Sequence, residues 1–308
     1  MTDAKTPDTA GPTRCGFVAL IGAPNAGKST LLNQLVGAKV SIVSRKVQTT
    51  RTQVRGIVLT GPTQIIFVDT PGIFKPRRRL DRAMVTSAWG GAGDADAVGL
   101  IVDVHKAGDE DTALVLERVK DIRAPVFLIL NKIDTLPREA LLAITARLNE
   151  QHRFVTTFMI SALNGDGVGE ITRWLESRMP PGPWLYPEDQ MSDAPLRFLA
   201  AEITREKLFE RLHDELPYRS TVETESWKTL RGGEVRIEQT IFVEREGHRK
   251  IVLGEKGRTI RAIGEASRKE ISEAADAKVH LFLFVKVREN WAEDPERYRE
   301  MGLEFPKQ

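Results

Sequence analysis

Gly22-Ala-Pro-Asn-Ala-Gly-Lys-Ser29 is the stretch whose reading decides the fold. It fits G-x-x-x-x-G-K-[ST], where glycines let the chain wrap so that successive backbone N–H groups point at phosphate oxygens. A helix N-terminus behind the loop adds positive potential. The pattern carries that meaning only between a strand and a helix, and both flank it: 17–21 is a short apolar run and 29–36 has helical texture. Outward from there, 65–68, 100–104, 126–130 and 158–160 predict further buried strands, with 54–59 as a candidate sixth. Helical patterns at 80–89, 111–121 and 139–150 lie between them, and 170–178 closes the region. Strands alternating with helices imply an α/β fold, doubly wound about a mostly parallel sheet covered on both faces.

The chemistry follows strand ends. Gly22, Ala23, Pro24, Asn25, Ala26, Gly27, Lys28, Ser29 and Thr30 are candidate nucleotide contacts; Lys28 reaches the β/γ-phosphates and the Ser29 hydroxyl holds Mg²⁺. Asp69, Thr70, Pro71 and Gly72 follow the strand at 65–68, so Asp69 can hold the Mg²⁺ hydration shell and the Gly72 N–H can meet the γ-phosphate. In Gln48-Thr49-Thr50-Arg51, Thr50 is the preferred second hydroxyl for Mg²⁺. Lys28, Thr50 and Gly72 are accordingly the candidate catalytic groups. Asn131, Lys132, Ile133 and Asp134 end the strand at 126–130. An ionised carboxylate only accepts hydrogen bonds, so Asp134 pairs with two adjacent N–H donors on guanine that adenine does not present. Lys132 lays its stem on the purine, and Ser161, Ala162 and Leu163 offer backbone donors to the guanine carbonyl.

Singly, N-K-x-D is a weak signal. The order phosphate loop, Thr, D-x-x-G, N-K-x-D, S-A-L resembles that of the P-loop GTPases, and it spans residues 15–179. Where many small GTPases carry a Gln after D-x-x-G to orient water, this chain has Ile73, which implies slow intrinsic hydrolysis by another device. Asn25 matches the Asn of GTPases that bind potassium beside the phosphates. The resemblance implies a K⁺ ion there, against the alternative that Asn25 only shapes the loop.

Met179-Pro-Pro-Gly-Pro183 and Pro187 mark a boundary, so 180–195 reads as a linker. Beyond it, helical patterns at 196–215 and 259–275 and strand patterns at 220–227, 235–244 and 279–287 predict a smaller α+β domain over 196–288. Gly254, Glu255, Lys256 and Gly257 sit between the strand pattern at 235–244 and the helix near Thr259, directly after Arg249-Lys-Ile-Val-Leu253. A G-x-x-G loop there fits a module that clamps a nucleic-acid backbone, and it fits a plain turn equally well. Residues 245–269 hold eight Lys or Arg against three Asp or Glu, a local basic patch with Arg249, Lys250, Lys256 and Arg258 near the loop.

Composition sets the outer limits. The 308 residues are 41% hydrophobic and 29% charged, which disfavours disordered and collagen-like classes. Apolar runs fall far short of the roughly 18 residues of a membrane span. One cysteine, Cys15, fits a reducing compartment, and a polar stretch at 1–14 reads as a disordered tail, so a cytoplasmic location is expected. Net charge is +2, with 23 basic against 18 acidic residues before Pro181 and 22 against 25 after it. Overall charge therefore gives no case for nucleic acid. The charged end at 289–308 reads as a tail docked on its own domain.

Together with Ser44-Arg-Lys-Val-Gln-Thr-Thr-Arg51, Glu244-Arg-Glu-Gly-His-Arg-Lys250, Glu215-Leu-Pro-Tyr218 and Val279-His-Leu281, these motifs resemble the Era family. The resemblance implies a slow Mg-dependent GTPase with a type II KH domain that binds the 3′ end of 16S ribosomal RNA and assists 30S subunit assembly. It also implies peripheral contact with the inner membrane and a monomer. Two other classes stay open: a constitutive RNA-binding module with a structural nucleotide site, and a signalling GTPase whose KH fold contacts protein.

Overall fold

Near-continuous apolar runs become strands buried on both faces. The computed structural model describes residues 12–213 and 216–306. In it β1 (Arg14–Ile21), β2 (Val54–Thr60), β3 (Thr63–Asp69), β4 (Ala97–Asp103), β5 (Val126–Asn131) and β6 (Thr157–Ile160) form one sheet in the order β2-β3-β1-β4-β5-β6. All neighbours are parallel except β2 and β3. The candidate sixth strand is therefore real and antiparallel, closed onto β3 by a tight turn at Gly61. Alternation sorts side chains between the layers. Val18 and Leu20 pack with α1 (Lys28–Val36) and α5 (Val168–Glu176), while Ala19 and Ile21 belong to the cluster with α2 (Arg79–Gly93), α3 (Glu110–Val119) and α4 (Arg138–Gln151).

The stretch expected as a linker is fastened along this sheet. Gln64 is fully buried, and its Oε1 accepts from the backbone N–H of Leu185 (2.8 Å) and Tyr186 (3.0 Å). Trp184 Nε1 donates to Pro62 O at 3.0 Å. At the N-terminus, residues 1–11 of the expected tail lie outside the described residues, and Arg14 already belongs to β1.

The second domain runs α6 (Leu196–Arg211), β7 (Ser220–Thr229), β8 (Val235–Val243), α7 (Glu246–Leu253), α8 (Arg258–Ala274), β9 (Val279–Val287). β8 lies antiparallel to β7 and parallel to β9, with α6 and α8 packed on one face. Residues 249–253, expected only as the approach to the turn, form the end of α7. Its Ile251 is exposed beside buried Val252, and on so short a segment β-branched residues mimic a strand. The helix expected to 215 stops at Arg211, where Leu212 turns to extended backbone.

The C-terminal stretch touches its own domain, with Trp291 Nε1 donating to Arg219 O (3.1 Å) and Arg297 over the Phe242 ring, and its apolar side chains also dock on the first domain. Trp291, Tyr298 and Leu303, the second on α9 (Pro295–Glu300), pack with Leu80, Ala83 and Met84 of α2. The α2 N-terminal half presents an apolar stripe that the sheet leaves uncovered, and this strap closes over it. Arg79 pairs with Glu293 at 2.8 Å and lies over the Phe305 ring. Among the described residues no helix is long and apolar enough to cross a membrane.

Candidate functional site

The loop between β1 and α1 has backbone that demands glycine. Gly27 sits at φ +101°, and a Cβ there would meet Asn131 Nδ2 at 2.1 Å. Lys28 is buried and curls back so that Nζ donates to Gly22 O and Ala23 O, both at 3.0 Å. Burial pushes this ammonium down to about 8, with Asp69 partly offsetting it.

Below the loop, Asp69 Oδ2 accepts from Ser29 Oγ (2.6 Å), Ser41 Oγ (3.0 Å) and Thr50 Oγ1 (3.4 Å), and Ser29 Oγ lies 2.8 Å from Thr50 Oγ1. Asp69 Oδ1 is buried without a hydrogen-bond partner among the described residues. Burial raises its carboxyl above the usual range, against the hydrogen bonds from these hydroxyls. A buried carboxylate with a free oxygen, ringed by hydroxyls, is the hard-oxygen donor set that suits Mg²⁺. Ser41 was not visible as a site residue, because no motif surrounds it. Gly72 is pressed against the loop, where a Cβ would come 3.0 Å from Pro24 Cα.

A cavity of about 750 Å³ runs from Lys28, Ser29, Thr30 and Thr50 past Gly72 to Asn131, Lys132, Asp134 and 161–163. That volume suits a nucleotide. The Asp134 carboxylate is exposed at its far end with no partner among the described residues. Lys132 Nζ is drawn to Asp103 Oδ2 at 2.5 Å, which holds its stem along the cavity. Asn131 braces: Nδ2 donates to Ala26 O (2.8 Å) and Oδ1 accepts from Lys132 N and Ala162 N (both 2.9 Å).

Expectations at five residues are corrected. The Ser161 and Ala162 N–H groups are spent on Asp166 O and Asn131 Oδ1, which leaves the Leu163 N–H as donor. Thr70 is fully buried with its hydroxyl on Leu20 O. Ile73 and Ile133 direct their side chains into the core beneath the loops rather than toward the cavity.

Two groups come from afar. Phe209 and Glu210 of α6 complete the cavity wall. Asp81 of α2 joins two loops, accepting from Gln48 Nε2 (3.0 Å) and from the Arg77 and Arg78 N–H groups (3.0 and 2.9 Å).

In the second domain the G-x-x-G turn links α7 to α8. Gly254 has φ +72°, and a Cβ there would strike Thr259 Oγ1 at 2.2 Å, so only glycine makes the turn. Arg249 and Arg258 are paired to Glu246 (2.9 Å) and Glu255 (3.1 Å). Lys250 and Lys256 are exposed and make no ion pair among the described residues, and Ile251 beside them is 57% exposed.

Residues 17–132 match the family described as 50S ribosome-binding GTPase, and residues 215–292 match the KH domain. A protein of Afipia carboxidovorans, GTPase Era, is 64% identical over 308 residues and all of both chains. GTPase Era of Brucella suis is 64% identical over 96% of this chain and 94% of its own. Among solved structures, Aquifex aeolicus Era bound to GDP·AlF4⁻ superposes with a TM-score of 0.89 at 35% identity, covering 94% of this chain and 99% of that one. Era in complex with MgGDPNP and nucleotides 1506–1542 of 16S ribosomal RNA gives the same score, identity and coverage.

Proposed function

The chain belongs to the Era family of GTPases, and from that premise we propose a switch whose nucleotide state governs RNA binding. It binds and hydrolyses GTP with Mg²⁺, binds the 3′ end of 16S ribosomal RNA and aids assembly of the 30S subunit. The observation that carries the switch is the shared cavity. Its floor is the phosphate loop, its far end is Asp134, and one wall belongs to α6 of the RNA-binding domain.

In this reading residues 15–179 form the nucleotide domain and 196–288 the KH domain. Lys28 and the Gly72 N–H take the terminal phosphates, Asp134 and the Leu163 N–H read guanine, and Lys132 covers the ring. Ser29, Thr50 and Asp69 would hold Mg²⁺, which when bound neutralises the phosphate oxygens. The γ-phosphate draws Thr50 and Gly72 inward, and hydrolysis releases them. RNA lies on the turn 254–257, with Lys250 and Lys256 on its phosphates and the glycines allowing close approach.

Titration of a labelled 16S 3′-end RNA against protein loaded with GDPNP or GDP tests this. A difference of about 5–150-fold is expected for such coupling. Equal affinities would favour the second reading, a constitutive RNA binder. Lys256→Ala is expected to reduce the salt slope of RNA binding by about 0.7 through loss of one phosphate contact.

Asn25 supports a K⁺ site: at φ +62° its Nδ2 donates to Arg45 O (2.9 Å), which leaves Oδ1 to face a cation beside the phosphates. Hydrolysis is expected to be faster in potassium than in sodium buffer; equal rates would refute it. Exposed Lys75, Arg77 and Arg78 support peripheral contact with anionic headgroups of the inner membrane, which vesicle flotation checks. The same reading has a monomer, checked by sedimentation.

A further inference from the structure

Residues 39–51 carry the Thr50 hydroxyl, read above as a Mg²⁺ ligand, and much of their fastening comes from the other domain. Lys39 Nζ pairs with Glu206 of α6 (2.6 Å) and with Glu270 of α8. Glu206 Oε1 also accepts from Val43 N at 2.7 Å. Lys46 Nζ donates to Phe209 O and Leu212 O. Around Thr50 the contacts tighten. Arg205 Nη2 donates to Thr49 O at 2.5 Å. Arg51 reaches the other way, to Ser220 O (3.0 Å) and Pro217 O (3.3 Å). The peptide before Thr50 and the side chain after it are both held by the second domain.

Arg205 is only 1% exposed, and Glu202 aims it by accepting from Nε (2.8 Å) and Nη2. A charge-assisted bond in so dry a setting is strong and directional. Its target is the carbonyl adjoining the residue whose hydroxyl lies 2.8 Å from Ser29 Oγ.

We propose that Arg205 is a positioning residue for GTP hydrolysis, supplied by the RNA-binding domain: by holding the Thr49 carbonyl it turns Thr50 toward Ser29 and Asp69. The proposal rests on the reading of Thr50 as a Mg²⁺ and γ-phosphate ligand. The hydrolytic site is then complete only while α6 is docked. GDP makes no demand on Thr50, so the clamp tells the two nucleotides apart. By linkage, GTP favours docked α6 by the same factor that docking favours GTP. Lysine cannot substitute, because one ammonium does not span Glu202 and Thr49 as the guanidinium does.

The test uses the full chain with Arg205→Lys, Glu202→Gln and, in parallel, Thr50→Ala. Single-turnover hydrolysis at saturating GTP and Mg²⁺ is read beside affinity for a fluorescent GDP and the thermal midpoint. Arg205→Lys is expected to slow hydrolysis about tenfold or more, as small misplacements do. Glu202→Gln is expected to slow it less, both with GDP affinity within about twofold, since GDP contacts neither residue. A near-wild-type rate for Arg205→Lys while Thr50→Ala is slow overturns the clamp and leaves the Thr50 reading intact. A wild-type rate for Thr50→Ala overturns that reading and the clamp with it. Loss of GDP affinity and thermal midpoint in step with the rate for Arg205→Lys makes Arg205 a general structural residue and also overturns the proposal.

Discussion

Lys28→Ala is expected to lower affinity for GTP and GDP by about 10²–10³-fold, the cost of truncating one member of a buried charge pair. In the free protein Nζ is held by Gly22 O and Ala23 O, so phosphate exchanges two carbonyl partners for an anion. Truncation leaves both carbonyls and the incoming charge without a donor. Isothermal titration with GDP checks it, and unchanged affinity would remove Lys28 from phosphate binding.

The same residue sets a pH dependence in the wild-type protein. With Lys28 pushed down to about 8, binding at higher pH must first protonate it, so GDP affinity is expected to fall from about pH 8 upward. For the nucleotide-free fold the sign is opposite. Above about pH 8 the unfolded chain holds more protons than the native one, so stability rises with pH until the unfolded lysine also deprotonates.

Asp134→Asn is expected to exchange guanine for xanthine. The carboxylate stands exposed at the cavity end with no partner among the described residues, free to accept two N–H bonds from the base. Two bonds to a charged acceptor at about 1.5–3 kcal/mol each correspond to roughly 10²–10⁴-fold in GTP affinity. An amide offers one acceptor and one donor side, which matches the extra carbonyl of xanthine. Competition of GTP and XTP for the variant checks it; retained GTP preference would remove Asp134 from base recognition.

The phosphate loop, D-x-x-G and N-K-x-D were legible because each is a contiguous run whose spacing is itself the geometry: for the phosphate loop, the strand end at Ile21, the turn and the helix start at Lys28 lie within nine residues, Ile21 to Ser29. The sheet was legible because strands buried on both faces must be apolar throughout, as Val126 to Leu130 are. The G-x-x-G turn was seen, yet the helix before it was not, since Ile251 and Val252 satisfy either period on so short a segment.

The sequence alone thus determined a guanine-nucleotide site of local motifs, the α/β architecture and the α+β domain after the prolines. Only the tertiary structure decided that Ser41 joins the Asp69 cluster, that the C-terminal strap closes over α2, and that Arg205 reaches Thr49 across 156 positions of chain. Such contacts have no periodicity or spacing to announce them. They exist because two folded surfaces meet, and burial then makes each unpaired carbonyl or guanidinium costly enough to select its partner.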